Sequence, residues 1–292
     1  ERDGNLYGRG TCDMKSFYAI ALALVPEMKH LTRPIHFALS YDEEVGCLGA
    51  PALIDALTAA VPTPEAVIVG EPTMMRVVNA HKSIFHFRTR VTGHEAHSSQ
   101  PHRGVSAVMV AGRLIHWIHE RQARNASEAP RDSAFEPPFT SLHCGVVHGG
   151  TATNIMAHHC EFVTDIRTLP GDDPRAYFDE LRDFAKNVLE PEMQAIAADT
   201  RIDFEVSADV PAFFADEQSP AVALVKRLTG QNVVESVSYG AEAGQFQAAG
   251  HSVVMCGPGS IDQAHQPNEY ISLAQVEAGT AFMRRLIGYL SG

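Results

Sequence analysis

The chain has 292 residues, 45% hydrophobic and 20% charged, with a formal net charge of −12 counting histidine as neutral. That length favours two domains, and an acidic surface with no basic run repels a phosphate backbone, which argues against nucleic acid as a partner. No apolar run reaches the ~18 residues of a membrane span, and Glu1-Arg2-Asp3-Gly4 is no signal peptide, so neither a membrane nor secretion is expected.

Residues 15–28 place Phe17, Ile20, Ala21, Leu24 and Val25 at the spacing of one helix face. Residues 35–41 are a short β-prone run ahead of an acidic turn. Residues 50–60 read as a helix and 66–69 as a short buried strand ending at Gly70-Glu71-Pro72. Strand, helix and strand at this spacing predict a parallel sheet covered by helices.

The middle differs. A long strand pattern, 77–91, leads through a polar loop to a helix over 105–121. Strands over 142–147 and 160–168 follow, then a helix over 174–198 and a strand over 201–206. The order β-α-β-β-α-β is that of a ferredoxin-like module. Residues 122–138, rich in Ala, Ser, Glu and Pro, read as a loop. Beyond 207 the pattern predicts helices over 220–228 and 243–249, a strand over 252–256 and a terminal helix over 273–290. The expected fold class is α/β: one domain with a mixed or largely parallel sheet, built from residues 1–76 and 208–292, with the module of residues 77–207 inserted.

Cys12, Cys47, Cys144, Cys160 and Cys256 are scattered and form no C-x-x-C pair. Reduced thiols of a cytoplasmic protein are expected, rather than a disulfide framework or a cysteine zinc site.

Asp13, the pair Glu43-Glu44, Glu71 and His265 fall at comparable places in this reading. Each Glu follows an expected strand, and ligands of open α/β sheets bind beyond the carboxyl ends of strands. Carboxylates and imidazole are the ligand set of zinc and similar ions, and gathered carboxylates repel one another unless a cation sits among them. Taken singly, such residues are more often solvated or structural.

The local sequences add to this. Tyr7-Gly8-Arg9-Gly10-Thr11-Cys12-Asp13-Met14-Lys15, Tyr41-Asp42-Glu43-Glu44-Val45-Gly46, Gly70-Glu71-Pro72-Thr73 and the segment from Gly257 to Tyr270 resemble, in order, four motifs of the M20 metallopeptidases. The resemblance implies two divalent ions, Zn or Co, with Asp13 bridging them, Glu44 and His265 completing one shell and Glu71 binding the other. It makes Glu43 the general base, taking a proton from the attacking water and passing it to the leaving amine. Gly93-His94-Glu95-Ala96-His97-Ser98-Ser99 resembles the family's lid loop, so the inserted module is expected to serve as lid and homodimer interface, with His97 donating a hydrogen bond to the oxyanion. Asn154 and Arg167 match positions used around substrate. Equally, Asn154 could cap a turn, and Arg167 could pair with Asp165 or Glu161.

Within the family the likeness is to the acetylornithine deacetylases. It rests on residues 257–270, on Glu71-Pro72-Thr73-Met74 and on the run from Tyr239 to Phe246. The implied partner is a small N-acylated amino acid and the implied reaction hydrolysis of N-acetylornithine in arginine biosynthesis. Glu242 would meet the substrate's ammonium group, or simply start a helix. The alternatives are a succinyl-diaminopimelate desuccinylase or another aminoacylase or carboxypeptidase of the family, and, in a different class, a non-catalytic, metal-free oligomer. Two departures stand out. The family's H-x-D motif, with a further metal histidine, would lie upstream of Glu1, so the chain is expected to be truncated, its second metal site incomplete and its activity low. Ser16 also stands where glycine is usual.

Overall fold

The computed structural model describes residues 1–292. The first stretch folds as β1 (Asn5–Tyr7), α1 (Lys15–Ala23), α2 (Ala50–Ala60) and β2 (Val67–Val69). Next come β3 (Val78–His81), β4 (Ile84–Thr92), α3 (Ala107–Ser127), β5 (Ser141–Gly149), β6 (His159–Arg167), α4 (Pro174–Phe184), α5 (Glu190–Gln194) and β7 (Arg201–Val210). The last stretch holds β8 (Phe213–Phe214), α6 (Pro220–Thr229), β9 (Glu235–Val237), α7 (Ala243–Ala248), β10 (Val253–Met255), β11 (Tyr270–Ser272) and α8 (Leu273–Leu290). Contacts group these into one unit of residues 1–81, 213–237 and 241–292, and a second of residues 82–212 and 238–240. No helix is long and apolar enough to cross a membrane.

The first unit carries a mixed sheet. β10 runs parallel to β2 and antiparallel to β3, and β3 also pairs with β8 and β9. Val253, Val254 and Met255 are all buried, as a central strand covered on both faces requires. Helix α8 buries Phe282, Met283, Leu286, Ile287 and Leu290, the i, i+4 and i+1, i+5 rows of one helix face, and Ile20 of α1 lies against Gly279 within it.

The second unit is an antiparallel sheet in the order β5-β6-β4-β7. Along β4, Phe85, Phe87, Thr89 and Val91 are fully buried while His86, Arg88 and Arg90 face the other way, the period-two alternation of a sheet with one covered face. Phe87 meets Phe178 of α4 edge-on at 5.0 Å, and Leu114 and Ile118 of α3 join the same core. Burying a side chain of this size contributes roughly 1.5–3 kcal/mol.

The α/β class stands, with several corrections of detail. Residues 35–41 form no strand. Main-chain atoms of residues 34–40 make no hydrogen bond, and Phe37, Leu39 and Tyr41 stay exposed, so β-prone composition without a partner strand yields no ladder. The run 77–91 divides into β3 and β4 because buried Lys82 turns aside to donate to the carbonyls of Pro137 and Phe139, at 2.7 and 2.8 Å. Helix α3 continues to Ser127, into the expected loop, and the helix expected over 174–198 is interrupted by a π-turn at Ala185–Leu189. The short strands β1, β8, β9 and β11 carry no sequence signal of their own.

Candidate metal centre

The antiparallel pair β1–β11, with Tyr7 opposite Tyr270, brings the loop before α1 against the loop after β10. Asp13 stands at the end of the first loop and His265 in the second, at a left-handed φ of 56°. Nε2 of His265 lies 3.3 Å from Asp13 Oδ2 and 2.9 Å from Glu44 Oε2. These three side chains offer ligand atoms that all lie within 4.8 Å of one another. Glu71, directly beyond the turn that ends β2, is buried at 6% exposure and outside that trio.

Asp13, Glu43, Glu44, Glu71 and Glu242 line one cavity of about 770 Å3, walled by apolar side chains that include Phe17, Phe246 and Phe282. No Lys or Arg pairs with any of the five; His265 alone answers Asp13 and Glu44. Their protonation equilibria record the crowding. Burial, then the charges of Asp13 and its neighbours, push Glu43 up to about 7, against a donated hydrogen bond from the Cys47 thiol at 3.5 Å. Burial and the charges of Asp13, Glu43 and Glu242 hold Glu71 far above the usual carboxylate range. Asp13 is raised by burial and by Glu44, with His265 opposing. Oxygen and imidazole donors around uncompensated negative charge suit a hard or borderline divalent cation, which reverses the sign of the local field.

Glu242 is raised by burial, with a hydrogen bond from Ser40 opposing. It stands at the start of α7, where its carbonyl accepts from the Gln245 amide, but its carboxylate caps nothing. Oε1 is buried without a partner, a costly state for a carboxylate. Helix initiation therefore accounts for its main chain and not for its side chain.

The second unit holds His97, Asn154 and Arg167. The His97 and Ile155 backbones bridge, and Ser98 N donates to Asn154 O at 2.9 Å, so the two loops adjoin. His97 Nδ1 accepts from the Ser99 amide at 3.2 Å and lies 2.8 Å from its hydroxyl; the ring proton is thereby left on Nε2, as a free donor. The Asn154 side chain is exposed and caps no turn. Arg167 Nε pairs with both Asp165 oxygens at 2.9 and 3.1 Å. Against the cost of burial, His86 and Arg167 keep Asp165 below its ordinary range.

Sequence reasoning passes over Tyr18 and Glu269, and gives Cys47 no place beyond that of a reduced thiol. Tyr18 sits in the acidic cavity, where burial and then Glu242 push its phenol up to about 12. Only the helical period, which gave Tyr18 no special place, bore on it. Glu269 lay inside a segment already singled out, but nothing in its spacing shows which atoms it reaches.

A sequence profile of peptidase family M20/M25/M40 matches residues 1–289, and the chain belongs to that family of metal-dependent hydrolases. It is 33% identical to an acetylornithine deacetylase of Myxococcus xanthus, covering all of this chain and 74% of that protein. Another from Photorhabdus laumondii is also 33% identical, over 99% of this chain and 73% of its own length. Among solved structures, the aminopeptidase PepT of Bacillus cereus superposes with a TM-score of 0.73 at 21% identity, covering 100% of this chain and 76% of that one. Human carnosine dipeptidase 1 superposes at 0.70 and 16% identity, covering 100% and 75%. These similarities show a shared fold.

Proposed function

We propose that the chain hydrolyses the amide bond of a small N-acylated amino acid, with N-acetylornithine as the substrate and ornithine and acetate as products. The 33% identity to proteins named acetylornithine deacetylase supports the choice of substrate. The observation that carries it is Glu242, a buried carboxylate with an unpartnered oxygen in the acidic cavity. A substrate ammonium group supplies the missing donors, and charge-assisted hydrogen bonds are the strong ones.

Asp13, Glu44 and His265 would hold one divalent ion, and Glu71 would contribute to a second. When bound, such ions supply Lewis acidity and lower the pKa of water toward neutrality. Glu43 takes the proton from the attacking water as its oxygen adds to the acyl carbon. It returns that proton to the amine nitrogen as the C–N bond breaks, so acid and amine leave with atoms balanced. A carboxylate titrating near 7 can perform both transfers. In the second unit, His97 presents an Nε2–H suited to the developing oxyanion.

A homodimer through the second unit fits its surface. β5 is an edge strand whose Val146 and Val147 are 47% and 49% exposed, and Met109 of α3 is 72% exposed.

The test is a substrate panel in zinc or cobalt: N-acetylornithine, N-succinyl-diaminopimelate, neutral N-acetyl amino acids, and di- and tripeptides. Preference for N-acetylornithine is expected. Preference for the succinylated compound or for peptides would replace the substrate assignment, and no hydrolysis with metal bound, by this chain or by one extended upstream of Glu1, would favour a non-catalytic role.

A further inference from the structure

The register of β1 against β11 places Gly8 opposite Glu269, and the Gly8 amide donates to the Glu269 carbonyl at 3.0 Å. The Glu269 side chain then turns beneath the loop that leads to Asp13. Its Oε2 accepts from Gly10 N at 2.7 Å, and its Oε1 accepts from both Cys12 N at 2.9 Å and Asp13 N at 3.1 Å. The residue is 4% exposed, yet no Lys, Arg or His makes an ion pair with it. Main-chain donors alone satisfy this buried carboxylate. A single side chain that gathers three amides of one loop is a nest built in reverse, with the anion supplied by the protein itself.

The consequence lies in what this tie connects. Glu269 follows His265 by four residues in one loop, and its acceptors' donors end at the amide of Asp13 itself in the other. Asp13 and His265 are two of the three side chains that converge in the candidate metal trio. We propose that Glu269 is a positioning residue for the metal centre: by clamping the amides of Gly10, Cys12 and Asp13 it sets the separation of Asp13 from His265 before any ion binds. The inference rests on the reading of Asp13, Glu44 and His265 as metal ligands.

Groups that orient ligands matter to affinity without touching the ion. Their loss costs about 10–100-fold in metal affinity or activity. The chemistry of the clamp orders the variants. Gln in place of Glu269 keeps one oxygen for Cys12 and Asp13 but sets an amide N–H against the Gly10 N–H. Ala removes all three acceptors. Glu277, exposed on α8, serves as a control.

The experiment is a Co2+ titration of the metal-free chain, followed by the visible absorption of the bound ion, for wild type, E269Q, E269A, E277Q, D13N and H265N, with thermal melts of the metal-free forms alongside. E269Q is expected to bind about 10-fold more weakly and E269A about 100-fold, with altered cobalt bands, while E277Q matches wild type. Affinity and bands unchanged in E269A, even with a lowered melting temperature, would make Glu269 a structural cap only and overturn the proposal. If E269A does not fold, E269Q and amide exchange in the metal-free wild type decide instead. The amides of Gly10, Cys12 and Asp13 should be protected, and exchange at the rate of an open turn overturns the clamp. Loss of cobalt binding in D13N and H265N but not in E269A or E269Q defeats this inference alone. Retention in D13N and H265N defeats the metal reading itself, and the inference with it.

Discussion

Raising the pH of the metal-free chain from about 5 to about 8 should weaken its fold, because carboxylates forced together in the cavity must ionise there. The carboxyl of Glu43 moves from 4.5 to about 7, with burial the main cause and the charge of Asp13 next. In the unfolded chain it ionises first, so between those values the folded form holds the extra proton. Stability is then full below the unfolded value and declines as pH rises to the folded one, the reverse of a salt-bridged carboxylate. At about 1.4 kcal/mol per pKa unit, Glu43 alone accounts for a loss of about 3 kcal/mol. Glu71, Asp13 and Glu242 shift in the same direction and add to it. The assay is urea unfolding by circular dichroism in the presence of a chelator, comparing wild type with E43Q across the range. The m value should stay constant. E43Q should lose less stability with rising pH and be the more stable form at the alkaline end. Saturation with zinc or cobalt should reverse the trend, because cations bind the deprotonated ligands. A wild-type stability that is flat or rises over this interval, or an E43Q slope equal to it, would refute the account of the cavity as uncompensated negative charge.

In a metal-loaded form extended upstream of Glu1, E43Q should cut turnover by about 10²–10⁴ while metal content stays unchanged, since an amide cannot accept the water's proton. H97A should lower the rate by about 10²–10³ without displacing metal; if His97 acts across a dimer, mixing H97A with E43Q protomers should restore activity, and no recovery in any mixture would confine it to one chain. E242Q should raise KM for N-acetylornithine by about 10–100-fold and leave a neutral N-acetyl amino acid unaffected, as expected for loss of a charge-assisted bond of about 1.5–3 kcal/mol; equal effects on both substrates would argue against ammonium recognition. G257A places a methyl carbon 2.1 Å from the Gly70 oxygen and 2.6 Å from the Glu71 oxygen. It should shift the backbone at Gly70 and Glu71 at a cost of about 1–3 kcal/mol of stability, and an unchanged melting temperature in G257A would contradict this close packing of Gly257 on Gly70.

Residue order alone makes legible the elements whose side chains repeat with a clear period: α1, α8, the alternation of β4, and the β-α-β-β-α-β order of the second unit. Short motifs also marked Asp13, Glu43, Glu44, Glu71 and His265, because their residue types and order survive without coordinates. Tertiary structure decided what depends on a neighbour distant in the chain. Residues 35–41 have strand composition, but a ladder exists only where a second backbone supplies donors and acceptors. The Arg167–Asp165 pair and the buried, unpartnered oxygen of Glu242 likewise appear only once distant segments are packed together. Glu269 was invisible in its role because the three amides it gathers lie 256–259 residues away. Hydrogen bonds to main-chain N–H groups leave no trace in residue type, so the only route to them is the register of β1 on β11.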